Sequence, residues 1–225
     1  MKATKTNRFD QLASGIKKID KESKLKCNLS INKNTEAFLV TKLSDYLYKK
    51  FTTINYKLEV RPNDILEQLG FTADEITSYK RNKEWRINGF LDSVLYYQNA
   101  RNHQKPAHII EFKRGKRERS IFKDCLRLAV LVNAAQQSRQ DKGKTTKHRL
   151  ETAYFITTAV YPKGKEVEEI QNSFCKNLTK VDTKLTDNGQ EVQMSYDIFK
   201  LGESSDGVEK SDKNVWAIVI EITPL

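Results

Sequence analysis

Two stretches of the chain carry residues whose types and spacing could do chemistry: Asp92, and nineteen residues further on Glu111-Phe112-Lys113. Successive side chains on a strand point to opposite faces, so Glu111 and Lys113 share one face and Phe112 takes the other. The neighbours Ile109, Ile110 and Phe112 mark this strand as core, where opposite charges side by side need a reason. Asp92 sits in a similar apolar setting, between Phe90, Leu91 and Val94. If the two strands form a hairpin through residues 98–107, the register can set Asp92 beside Glu111. Two carboxylates placed together repel unless a cation lies between them, and oxygen donors favour Mg²⁺ or Mn²⁺. The carbonyl of Phe112 is a natural third ligand. Lys113 would meet the attacking water or a scissile phosphate, where a metal and a lysine neutralise developing charge. Glu-x-Lys alone says nothing, since Glu22-Ser23-Lys24 matches it in a polar segment. The apolar strand, the aspartate before it and the helix after it give the pattern its meaning.

The elements that must position these residues are read from periodicity. Residues 1–33 are Lys-, Asn- and Ser-rich, an N-terminal basic arm or short helix with Phe9, Leu12, Ile16 and Ile19 at helical spacing. Asn34 or Thr35 caps a helix whose stripe is Phe38, Leu39, Leu43, Leu47 and Phe51. The segment 54–83, a short extended piece followed by two helical patterns around Gly70, reads as a small insertion or part of a recognition surface. A strand is expected over 84–98 and a second over 108–113, then a helix from Ser120 with Ile121, Cys125, Leu128, Ala129 and Val132 at helical intervals. A basic loop (139–149), a strand (151–161), a helix (166–178), a strand-like stretch (192–199) and a final apolar strand (215–222) complete the chain. Strands alternating with helices predict an α/β fold, a central mixed sheet flanked by helices, with residues 34–225 as one domain.

The formal charge of +11 is concentrated: residues 101–149 hold fourteen Lys and Arg against four acids, a net +10. Such a block is a footprint for a polyanion, nucleic acid above all, with a solvated surface as the bland alternative. Arg114, Lys116, Arg117, Arg119, Lys123 and Arg127 run straight from Lys113 into the next helix and could hold a phosphate backbone against a metal. Asn133, Gln136, Gln137 and Arg139 could approach base edges, or simply end a polar helix.

Asp92 and Glu111-Phe112-Lys113, on adjacent strands and followed by a helix, resemble the PD-(D/E)XK nuclease superfamily, which includes many restriction endonucleases and recombination and repair enzymes. The resemblance spans roughly residues 34–161. It implies a restriction endonuclease-like core, Asp92 and Glu111 as metal ligands and Lys113 as the catalytic lysine. Glu36 would be the acidic residue contributed by the helix before the sheet, although a helix-start charge favoured by the dipole explains it equally. No proline precedes Asp92, where the sequence reads Gly89-Phe90-Leu91-Asp92; superfamily members commonly lose it. The expected function is a Mg²⁺-dependent DNA endonuclease, of restriction type by resemblance. A recombination or repair nuclease, an RNase, and a nucleic-acid-binding module without chemistry are the alternatives. The family also brings an expectation of a homodimer for double-strand cleavage.

Other chemistries find little support. His103, His108 and His148 have no metal-ligand spacing, and neither GxxxxGK[ST] nor GxSxG occurs. Cys27, Cys125 and Cys175 lie far apart in apolar settings, so buried free thiols are expected. The absence of an apolar leader or a membrane-length run predicts a soluble cytoplasmic protein.

Overall fold

The computed structural model of the chain describes residues 8–51, 53–98, 104–115, 118–141, 150–205 and 210–225. The helices are α1 (Arg8–Cys27), α2 (Glu36–Lys50), α3 (Pro62–Gln68), α4 (Ala73–Arg81), α5 (Glu118–Asp141) and α6 (Val167–Asp187). The strands are β1 (Ile54–Val60), β2 (Leu91–Gln98), β3 (Gln104–Arg114), β4 (Thr152–Pro162), β5 (Val192–Ser205) and β6 (Lys210–Pro224). They form one six-stranded mixed sheet in the order β1-β2-β3-β4-β6-β5. Among the described strands only β3 and β4 are parallel, and such a pair needs a long crossover, which α5 supplies. The other neighbours run antiparallel. This is the α/β arrangement that the alternation of patterns implied.

Side-chain alternation splits the core into two layers. Val94, Tyr96, Ile109, Ala153 and Phe155 pack under α3, α5 and α6. Leu95, Ile110, Phe112, Tyr154 and Ile156 face α1 and α2. β4, covered on both sides, is buried along nearly its whole length, as parallel central strands are. Thr35 caps α2 by accepting from the Phe38 N–H. The buried Ser44 hydroxyl meets that of Ser93 at 2.8 Å, which ties α2 to β2. Gly15 lets α1 close onto α2, because a Cβ there would lie 2.8 Å from Leu43 and Tyr46.

Several expectations need correcting. Of the two readings of the N-terminal segment, arm or short helix, residues 8–27 take the helix, and Leu12, Ile16 and Ile19 are buried in the second core layer. Segment 54–83 is part of the fold, because β1 is an edge strand of the sheet and Ile65, Leu66, Leu69 and Ile76 join the first core layer. The strand expected from residue 84 begins only at Leu91, after a short 3₁₀ turn (Lys83–Trp85) and Arg86 in the left-handed region, φ 52°. α6 runs on past 178 because Val181 and Leu185 continue the stripe of Ile170, Phe174 and Leu178. Cys27 is exposed at the end of α1, while Cys125 is buried. Among the described residues no helix is long and apolar enough to cross a membrane.

Candidate active site

The antiparallel register of β2 and β3 pairs Ser93 with Ile110 and Val94 with Ile109, so one further step sets Asp92 opposite Glu111. The two side chains leave the sheet on the α5 side and their carboxyl groups meet in hydrogen-bonding contact. Asp92 also accepts the backbone N–H of Phe112 at 2.7 Å, which locks its side chain to the neighbouring strand. Phe112 itself points into the opposite core layer, as alternation requires. Gly115, with φ of +101°, then turns the chain out of β3, and its N–H donates to the Thr158 carbonyl at 2.8 Å.

Glu36, at the start of α2, reaches this strand end from the other layer. It accepts from the Arg114 N–H at 3.2 Å and lies 3.6 Å from the Lys113 ammonium. Lys113 is half-exposed, so its ammonium stands at the mouth of the site between Glu36 and the buried carboxyl groups. The four residues singled out for chemistry, Glu36, Asp92, Glu111 and Lys113, therefore converge.

Burial pushes the Asp92 carboxyl up from its usual range, against the opposing pull of the Phe112 N–H and Lys113. Burial raises Glu111 further, and Asp92 adds to the shift; the Arg127 guanidinium opposes it without winning. Two carboxyl groups in contact inside a largely dry site hold a proton between them, or a cation. Asp92 and Glu111 therefore fit a hard divalent ion as an oxygen donor pair. Among the described residues no group of three or more His, Cys, Asp or Glu is gathered for a metal, so any third ligand would be a backbone carbonyl or water.

Arg127 stands elsewhere than its sequence position suggested. The sequence expects a phosphate contact there, yet Arg127 is only 4% exposed and turns inward onto Glu111. Its Nη1 donates to the Phe90 carbonyl at 3.1 Å, and Asp124 lies 3.8 Å away. Asp124, equally buried, also accepts from Arg86 at 2.8 Å. A chain of ion pairs thus runs Arg86–Asp124–Arg127–Glu111. The spacing 121, 124, 127, 131 lies along one helix face with Ile121 and Leu131 at its ends, and that signal could have placed both charged residues inward.

Of the remaining cations, Arg114, Arg119 and Lys123 are exposed, whereas Lys116 and Arg117 lie outside the described residues. The polar residues near the end of α5 are engaged within the protein. Gln136 donates to the Leu225 carbonyl at 2.7 Å, Arg139 to that of Leu150 at 2.7 Å, and Asn133 meets Gln190 at 3.1 Å. His108 is buried in the second core layer beside Arg8, away from any surface. No family model, curated protein or solved structure matches the chain.

Proposed function

We propose that this chain is a divalent-metal-dependent nuclease that hydrolyses phosphodiester bonds, with DNA as substrate. The observation that carries the reading is the contact between the Asp92 and Glu111 carboxyl groups at the end of adjacent strands, with Lys113 on the same strand face as Glu111. A structural role would not require two acids to touch in a dry interior, where like charges are costly. Mg²⁺ or Mn²⁺ would be held by Asp92 and Glu111 with the Phe112 carbonyl. When bound, it supplies a Lewis acid and a water acidified toward neutral pH. The residues of the chain do the rest. Lys113 neutralises a phosphate oxygen at the mouth, Glu36 keeps its ammonium in place, and Arg127 fixes the orientation of Glu111. The concentrated positive charge of residues 101–149 supports a polyanionic substrate. A restriction-type role, a restriction endonuclease-like core and a homodimer rest on the resemblance alone.

The direct test is cleavage of plasmid, branched DNA, single-stranded DNA and RNA with Mg²⁺ or Mn²⁺. The substrate that is cut separates a DNA endonuclease from a structure-specific nuclease or an RNase. Glu111→Ala and Lys113→Ala should each lower the rate by about a thousandfold or more while the protein still binds its substrate. Full activity in Glu111→Ala would end this reading. One observation favours a second reading, a nucleic-acid-binding module without chemistry: the Arg127 guanidinium already occupies a Glu111 oxygen. Metal titration separates the two, because a pure binder shows no carboxylate-dependent uptake of Mg²⁺ or Mn²⁺.

A further inference from the structure

A second site lies on the outer side of α5, away from the carboxyl pair. Asp124 and Arg127 of that helix are buried, whereas Arg119 and Lys123 are exposed and Phe122 is half-buried against the first core layer. With the 3₁₀ turn before β2 and the end of α6 they enclose a groove of about 730 Å³. Its cations come from three separate elements: Lys83 and Arg86 from the turn, Arg119 and Lys123 from α5, and Lys184 from α6. Glu84 is the acid among its lining residues.

The pairing of these cations is uneven. Lys184 is held by Glu118 at 2.7 Å and lies 5.5 Å from the centre of the Phe122 ring. Arg86 is committed to Asp124 but remains half-exposed. Lys83, Arg119 and Lys123 are exposed and make no ion pair within 4.0 Å of a described residue. Three cations that make no ion pair with a described residue and line one concave surface repel one another, and an anion spanning all three would relieve that repulsion. The half-buried Phe122 adds an apolar floor, on which a base could lie as it does in single-strand channels.

We infer that this groove binds the phosphodiester backbone of a nucleic-acid strand, at a site separate from the mouth over Asp92 and Glu111. The inference deepens the nuclease reading by giving the substrate a second hold. Arg86 belongs to both places, since it lines the groove and begins the chain of ion pairs that ends at Glu111.

A basic surface on the opposite side of the molecule provides the control. Between α1 and α2, Lys18, Lys42 and Lys50 line a cavity of about 430 Å³, but Glu22 and Asp45 stand among them. The experiment measures binding of a short oligonucleotide, single-stranded and duplex in separate arms, by anisotropy across a salt series in EDTA. Cleavage is then irrelevant, and failure of the catalytic reading leaves the result intact. The triple variant Lys83→Gln, Arg119→Gln, Lys123→Gln should bind about tenfold or more weakly at ~0.1 M salt, and its slope of log K against log salt should flatten by about 2 for a single strand. The control variant Lys18→Gln, Lys42→Gln, Lys50→Gln should bind nearly as the parent does. Circular dichroism and the melting temperature establish that both variants are folded. Unchanged affinity and slope in the first variant, or an equal loss in the control, would overturn the proposal.

Discussion

Two buried acids in the same sheet are treated in opposite ways. Glu221 on β6 is 8% exposed, and its oxygens are met by neutral donors, the Tyr154 hydroxyl at 3.0 Å and the Ser195 hydroxyl at 3.3 Å. Glu111 on β3 is 4% exposed, and its neighbours are charged: Asp92 on one side, Arg127 on the other, with Asp124 beyond. The first is a polar group satisfied at small electrostatic cost, as an interior acid in a structural role should be. The second keeps two acidic groups in contact and holds them there with a buried arginine and a backbone N–H. Burial alone does not distinguish these two acids; the charges gathered around them do.

The contrast can be broken most forcefully at Arg127. Removing one partner of a buried ion pair strands the other, so Arg127→Ala should cost about 3–5 kcal/mol in denaturant unfolding. A loss under about 1 kcal/mol would mean that Glu111 is not held by this pair. Next in size is a pH effect in a third buried polar group. Burial and the nearby Arg8 lower His108 to about 3. Between that value and the ordinary histidine range the unfolded chain binds a proton that the native state refuses, so stability falls on acidification. The slope is about 1.4 kcal/mol per pH unit, or about 2 kcal/mol lost at about pH 5. His108→Gln should flatten the curve of unfolding free energy against pH in that window. An unchanged curve would show that histidine 108 titrates normally.

Smaller effects sharpen the comparison itself. Asp92→Asn keeps an oxygen for the Phe112 N–H but removes one of the touching charges. It should abolish cleavage while raising stability by about 1 kcal/mol, the usual sign of a site held against its own electrostatics. Glu221→Gln, facing hydroxyls that can reverse their donor role, should change stability by less than about 1 kcal/mol and activity not at all. If the two amide variants behaved alike in melting and in cleavage, the distinction drawn between the acids would fail.

Much of the site was legible because it is local to two strands. Alternation fixes the shared face of Glu111 and Lys113, and the length of the connection permits the hairpin that brings in Asp92. Thr35 and the stripe behind it placed α2, and with it Glu36. What local pattern does not encode is tertiary placement. Whether Arg127 looked inward or outward depended on which sides of α5 were covered, and α5 is enclosed by the sheet, α3 and α6 far more fully than an amphipathic surface helix. Lys83, Arg86 and Lys184 lie about a hundred residues apart in sequence at the extremes, so no spacing rule could join them in one groove. The helical spacing of Leu12, Ile16 and Ile19 was legible in the N-terminal segment, but that this stripe covers one sheet face depends on tertiary placement.

The central claim, that the touching carboxyl groups of Asp92 and Glu111 exist to hold a divalent cation, is tested most directly by titrating Mn²⁺ or Mg²⁺ into the intact protein by calorimetry. Saturable binding near one ion per chain, lost in both Asp92→Ala and Glu111→Ala and kept in Glu221→Gln, is the result expected. Absence of metal uptake by the parent protein, or uptake that survives both alanine variants, would contradict it.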